Sequence, residues 1–337
     1  MTRIRICFGT TLLLAHLPLF AQPAPAAQPQ DTSPHTVQFI PVAQNVKLEV
    51  LDWGGHGRAL IFLAGLGFDA HVYDTFAPKF VAKYHVYGIT RRGFGASSAP
   101  KPDCQNYSAD RLGDDVLAVM DALKVERPVL VGHSLAGEEL SSIGTRDPDR
   151  VAGLIYLDAG YGYAYYDADA AEGDPAVDAP VLRHELENLV NPLSLYERKA
   201  QIGHVLDVTL PRVQRELEHV QKQLAGMPDD KPMPPLPPFI QYAAAIQRGV
   251  QAYSGVKAPT LAIFALPHKI PEDGMTAEAH AARVADDVAL TGAQVNAFQK
   301  GNPNARVVRL PNADHFVFRS NEGDVLREMN AFLATLP

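Results

Sequence analysis

The stretch Pro128 to Leu140 reads PVLVGHSLAGEEL: an apolar run meets a Gly-His-Ser-Leu-Ala-Gly corner, and helix-compatible residues follow. A sharp strand-to-helix corner strains its central residue and exposes that side chain at the end of the sheet, which makes Ser134 a candidate nucleophile. Strand and helix pass closely there, so the positions two before and two after the serine must be small. Gly132 and Ala136 meet that requirement, the second with one methyl more than glycine, and Gly137 follows. The helix that starts here points its N-terminus at the serine, and its dipole favours negative charge developing there. The N–H of Leu135, next after the serine, is a candidate oxyanion donor. A serine hydroxyl is a poor nucleophile without a base. His315, in LPNADHFVF, follows the last expected strand and precedes the last expected helix, and it is the candidate base. His133 is expected to pack, because a sequence neighbour cannot easily turn onto Ser134. A Ser–His pair of this kind can do nucleophilic, covalent catalysis.

Such a pair works only if a sheet brings residues 134 and 315 together. Two β-rich runs, TVQFIPV and VKLEVLDWG, open the ordered chain. Strands and helices then alternate. ALIFLAG (59–65), HVYGIT (85–90), PVLVG and VAGLIYLD (151–158) are apolar runs of strand length. Between them, ADRLGDDVLAVMDALK repeats Leu112, Val116, Val119 and Leu123 at helical spacing behind a Ser108 cap. Strands apolar on both faces argue for a mostly parallel sheet flanked by helices, an α/β fold. From Gly160 to about Val256 only helical patterns occur, interrupted by the Pro-rich PDDKPMPPLPP (228–238). Alternation resumes with APTLAIFAL (258–266), a long helix, ARVVRL (305–310) and a last helix. The expected organisation is therefore a core of residues 36–160 and 257–337, with a helical cap of residues 161–256 inserted between two strands. Insertions at the loop end of a parallel sheet commonly cover the ligand crevice.

The motifs LAGLG, RRGFGASSAP, VGHSLAG, LIYLDA, APTLAIFA and NADHF stand in the order found in α/β-hydrolase-fold serine hydrolases, and the chain resembles that family from about residue 40 to 335. The resemblance implies that Ser134 attacks a carbonyl, His315 shuttles the proton, and water releases an acyl-enzyme. It places a second oxyanion donor at the Leu66 N–H, where Gly65-Leu66 replaces the family's His-Gly-X turn. Carboxylic esters are the default substrates. Amides, lactones or C–C bonds are alternatives within the same triad, and a non-catalytic binding protein on the same scaffold is an alternative of another class. Dehalogenases of this fold carry a carboxylate where Ser134 stands, which argues against their chemistry.

The acid departs from the family's pattern. Most members place it after the strand that here reads PTLAIFA, but LPHKIPEDG puts His268 and Lys269 there, and Glu272 and Asp273 come late. Some members use the end of the preceding strand, where LIYLDAG offers Asp158. Asp158 is the expected acid, with Asp273 as the alternative. His268 is expected to be an ordinary loop histidine. Arg91 and Arg92 are expected to fix loops, and Glu138 and Glu139 to complement the helix dipole. The tyrosines of AGYGYAYYDADA could line a pocket or pack the cap onto the sheet, and both readings stay open.

The formal charge of −8 lacks the basic face that nucleic acid requires. No Cys/His/Asp spacing suggests a metal site and no glycine loop a nucleotide, so no cofactor is expected. At the N-terminus, Arg3 and Arg5 precede CFGTTLLLAHLPLFA, an apolar run too short to span a bilayer, and small and polar residues follow. This is the form of a secretory signal peptide, residues 1–21, with a disordered Pro/Ala/Gln leader to about residue 35. The expectation is an exported protein, periplasmic or secreted, with no stable membrane anchor. Its one remaining cysteine would be Cys104, which rules out an intramolecular disulfide.

Overall fold

A computed structural model of the chain describes residues 33–167, 175–190, 194–225, 238–272 and 274–337. The expected signal peptide, nearly all of the leader, most of the Pro-rich stretch and Asp273 lie outside these residues. Eight strands form one sheet: β1 (Thr36–Ala43), β2 (Val46–Gly54), β3 (Ala59–Leu63), β4 (His85–Ile89), β5 (Val129–His133), β6 (Gly153–Leu157), β7 (Thr260–Ala265) and β8 (Arg306–Leu310). Their order is β1-β2-β4-β3-β5-β6-β7-β8. β2 pairs antiparallel with β1 and β4, and every other pair is parallel.

β3, β5, β6 and β7 are buried along their whole length. Their side chains alternate between two apolar layers, because successive residues of a strand point to opposite faces. Leu60, Phe62, Val131, Ile155 and Ile263 share one layer with Tyr73, Phe76 and Phe318. Ile61, Leu130, Tyr156 and Phe264 share the other with helices α1 (Ala109–Leu123) and α2 (Gly137–Arg146). A one-residue slip would exchange the two layers, so burial on both faces fixes the register. The side chain of Ser108 caps α1 by accepting the Arg111 N–H at 3.3 Å.

Between β6 and β7 lie α3 (Pro175–Asn188), α4 (Leu195–His204), α5 (Leu210–Leu224) and α6 (Pro238–Arg248). The chain divides into two compact units. One is built on Glu172–Met227, and the other on Thr32–Ala171 with Pro228–Pro337. α6 and the tyrosine-rich segment therefore group with the sheet. Within the helical unit, Ser194 and Glu197 form a reciprocal capping box at the start of α4. After β7 come α7 (Ala277–Gly301), β8, the short α8 (Val317–Ser320) and α9 (Glu322–Leu333). Among the described residues, no helix is long and apolar enough to cross a membrane.

Candidate active site

The loops at the C-terminal ends of five adjacent parallel strands, β3, β5, β6, β7 and β8, carry Leu66, Ser134, Asp158, His268 and His315. At the corner after β5 the chain turns through a short 3₁₀ segment, Ser134–Ala136, into α2, and Ser134 sits at φ +52°. A non-glycine residue in that region is strained and persists only where its surroundings fix it. Those surroundings are tight. A Cβ on Gly132 would lie 2.9 Å from Leu140, and one on Gly65 would lie 3.0 Å from the Cβ of Ser134. The tightest point is Gly137, where a Cβ would lie 1.9 Å from the carbonyl oxygen of Ala159. Ala136 is accommodated, and the strict glycine requirement falls one residue later.

His315 bridges Ser134 and a carboxylate. Its Nε2 lies 2.9 Å from Ser134 Oγ and its Nδ1 lies 2.6 Å from Asp158 Oδ2. β8 lies three strands from β5, so the five residues after it must reach back about 14 Å, which an extended run of that length can do. Backbone bonds lay the loop along that path: Asn312 N–H donates to Pro267 O and Lys269 N–H to Ala313 O, each at 2.8 Å. His133 Nε2 then donates to the carbonyl of His315 at 3.0 Å. Burial, and next the neighbouring His315, push His133 down to about 3, so it stays neutral and props the loop. The expectation that His133 packs fits these contacts.

Asp158 follows β6 at φ +50°, with its N–H bonded to Ile263 O at 2.7 Å. It is fully buried and its carboxylate is saturated with donors. Oδ1 accepts the Ala265 N–H at 2.9 Å and the Tyr161 hydroxyl. Oδ2 accepts His315 and, at 2.9 Å, His268 Nε2. Burial alone would raise this carboxyl, but the hydrogen bonds and charges of His268 and His315 outweigh it and hold the group well below the usual range. Asp158 is thus the carboxylate joined to His315. The alternative, Asp273, lies outside the described residues.

His268 departs from expectation. It stands where most of the family carries the acid, and it reaches the acid of the neighbouring strand. Its other ring nitrogen faces Asp287 Oδ1 of α7 at 2.8 Å. Burial works against a charged ring here, but Asp158 and Asp287 overcome it and lift His268 to about 9.

On the oxyanion side, Phe68 N–H closes a turn onto Gly65 O at 3.3 Å, with Gly67 at φ +83°. Glycine is needed at that third turn position, and the closing bond does not use the Leu66 N–H. Arg91 holds the strand end behind it. It donates to Ala64 O at 3.0 Å and makes a bidentate pair with Glu139, 2.7 Å at each contact. Both partners are buried, so the pair ties the loop after β3 to the first turn of α2. The loop-fixing expectation for Arg91 fits this pair, and Glu139 is held by an arginine as well as by the helix end. Glu138 differs from its expected role. It is fully buried, its carboxyl oxygens have no hydrogen-bond partner among the described residues, and burial followed by the charge of Glu139 raises it well above the usual range. Complementing a dipole needs a charge, and burial disfavours one here.

The tyrosine cluster divides between the two open readings. Tyr161 donates to Asp158 and also packs on Phe264, with ring centroids 5.6 Å apart. Tyr163 lies beside the Ser134 side chain and packs with Leu66, Leu135, Phe94 and Tyr242. Tyr165 packs on Phe298. Atoms of Asp158, His268 and His315 that could face a cation lie within 4.8 Å of one another, and the Asp158–His268 and Asp158–His315 spacings are those of N–H···O hydrogen bonds.

A parallel sheet with a strained serine at its central corner and a histidine returning from the last strand defines the α/β-hydrolase fold. A family model described as the alpha/beta hydrolase fold matches residues 58–191. The chain is 36% identical over 107 residues to a fluoroacetate dehalogenase of Burkholderia sp, a match covering 31% of this chain and only 35% of that one. It is 22% identical over 284 residues to the 2-(acetamidomethylene)succinate hydrolase of Mesorhizobium japonicum, covering 83% and 89%. Among solved structures, an E-2-(acetamidomethylene)succinate hydrolase superposes with a TM-score of 0.55 at 18% identity, over 90% of this chain and 100% of that one. The chain has the α/β-hydrolase fold, and the relatives it resembles include hydrolases of that fold.

Proposed function

We propose that the chain is an exported serine hydrolase that cleaves a carboxylic ester through Ser134, His315 and Asp158. The observation that carries this reading is the placement of one imidazole between two partners, 2.9 Å from the serine oxygen and 2.6 Å from a buried carboxylate. His315 Nε2 takes the hydroxyl proton as Ser134 Oγ bonds to the ester carbonyl carbon. Asp158 accepts the Nδ1–H, fixes the tautomer and stabilises the imidazolium that forms. The carbonyl oxygen becomes an oxyanion facing the N–H groups of Leu66 and Leu135. When the tetrahedral species collapses, the C–O bond to the alcohol breaks and His315 returns the proton to the leaving oxygen. Water, deprotonated by the same nitrogen, then releases the acid and restores Ser134. The apolar cluster of Leu66, Phe94, Leu135 and Tyr242, which includes the residue next to the serine, favours an apolar acyl or alcohol group.

Dehalogenation fits less well despite the likeness to a fluoroacetate dehalogenase, because a hydroxyl stands where the family's dehalogenases use a carboxylate. Export rests on the Arg3/Arg5-flanked apolar start. Hydrolysis of p-nitrophenyl acetate tests the reading. The wild-type chain should turn it over, and Ser134→Ala should lose at least about a thousandfold in kcat. Undiminished turnover in the mutant, or none in the wild type, would overturn it.

A further inference from the structure

The two ring nitrogens of His268 face two different carboxylates, Asp158 Oδ2 at 2.9 Å and Asp287 Oδ1 at 2.8 Å. A carboxylate oxygen accepts and cannot donate, so each nitrogen must carry a proton and the ring must be an imidazolium. Moving a proton onto Asp158 instead is unfavourable, since that carboxylate already accepts from His315, Tyr161 and the Ala265 N–H. The outer partner is itself fixed. Asp287 Oδ2 accepts the backbone N–H of His268 at 2.8 Å, and Oδ1 accepts the Thr291 hydroxyl at 2.9 Å. A chain of contacts therefore runs from Ser134 through His315, Asp158 and His268 to Asp287 and Thr291.

We propose that His268 is a positioning residue for the reaction at Ser134: an imidazolium clamped between Asp158 and Asp287 that holds the triad carboxylate against His315. The assignment rests on the serine-hydrolase reading for its catalytic consequence, although the clamp itself does not. The groups facing His268 are Asp158 and Tyr161 from the segment after β6, Asp287 of α7, and His315 from the loop after β8, whose ring centroid is 6.3 Å away. The clamp also balances charge in the transition state. When His315 accepts the serine proton, two imidazolium rings face two carboxylates, and the network is neutral.

A clamp made by a charged ring fails when the ring loses its proton. Its carboxylate partners lift His268 to about 9 against the effect of burial. Above that pH one nitrogen presents a lone pair to a carboxylate. Asp158 has no exposed surface while Asp287 keeps 17% of its side chain exposed, so the contact to α7 gives way first. Asp287→Asn removes one of the two charges that keep the ring protonated, and the transition should move to lower pH by about one unit or more.

The test uses the full chain with nitrogen-15-labelled histidine, as wild type, His268→Phe, His268→Gln and Asp287→Asn. Two readouts are followed against pH: the ring-nitrogen NMR signals and kcat on p-nitrophenyl acetate. In the wild type, His268 should keep two protonated ring nitrogens at pH 7 and lose one near pH 9, and kcat should fall in the same range. His268→Phe should lower kcat about tenfold to a hundredfold with KM within about twofold, and His268→Gln, which retains an N–H for Asp158, should recover part of the loss. In Asp287→Asn the NMR transition and the alkaline fall should move down together. A His268 ring carrying one proton at pH 7 would overturn the proposal, as would a folded His268→Phe with undiminished kcat. If no protein hydrolyses the ester, two protonated nitrogens at pH 7 uphold the clamp and count against the hydrolase reading alone.

Discussion

β6 and β7 lie side by side, in register from Leu154–Thr260 to Leu157–Ile263, and both are buried along their whole length. Their ends contribute opposite charges. The chain leaves β6 at Asp158, in a left-handed turn that aims a buried carboxylate at the histidine loop. It leaves β7 through a short loop to His268, which returns a cation to the same carboxylate. The family's usual place for the acid is thus held by a base. Burial of an aspartate at β6 is tolerable because donors surround it from two histidines, a tyrosine and a backbone N–H. An unpaired buried carboxylate would be far more costly. Acid function at one strand end and compensating charge at the next depend on each other, and each end can be altered separately.

The sharpest separation comes from two aspartates. Asp158→Asn keeps the shape but turns an amide toward donors that need an acceptor, and it no longer stabilises the imidazolium. Its kcat/KM on an activated aryl ester should fall about a hundredfold to ten-thousandfold. Asp273→Asn, on the longer loop after β7, should change the same constant by less than about twofold. Kinetics on both folded mutants decide between the strand ends, and a crippled Asp273→Asn would move the acid to the β7 loop.

A smaller effect sharpens the comparison through stability. His268 binds its proton more tightly in the folded chain than in the unfolded one, where its value is near 6.5. The stabilisation is therefore complete below about pH 6.5 and is lost as pH rises through about 9. It amounts to about 3 kcal/mol. Urea melts at pH 6 and pH 9.5 should show the wild type losing about that much more than His268→Gln. An equal loss in both proteins would mean that His268 carries no linked proton.

Much of this arrangement was legible in the sequence. The eight strands fall within a few residues of the expected runs, and the four that are buried throughout, β3, β5, β6 and β7, stand out most, since such strands need unbroken apolar side chains. Ser134 and His315 were legible because a corner and a position after the last strand are local signals. The role of His268 was not. Its partners lie 110 and 19 residues away along the chain, and only the pairing of β6 with β7 and the course of α7 bring them together. Gly137 looked like a spare glycine beside the motif, and only the approach of the Ala159 carbonyl makes it necessary. The tyrosine run gave no sign of which ring would touch the acid and which the serine, because a turn with no periodicity sets their directions. Glu138 looked like its neighbour Glu139, and only the reach of Arg91 separates the paired side chain from the one without a hydrogen bond among the described residues.

The central claim is that Ser134 is a nucleophile activated by His315. Covalent labelling tests it most directly. A fluorophosphonate incubated with the wild-type chain should add one adduct, which peptide mass spectrometry locates on Ser134, and Ser134→Ala should take up none. His315→Ala should slow the labelling by at least about a thousandfold with the fold intact. An adduct on any other serine, or labelling of Ser134→Ala at the wild-type rate, would contradict the account.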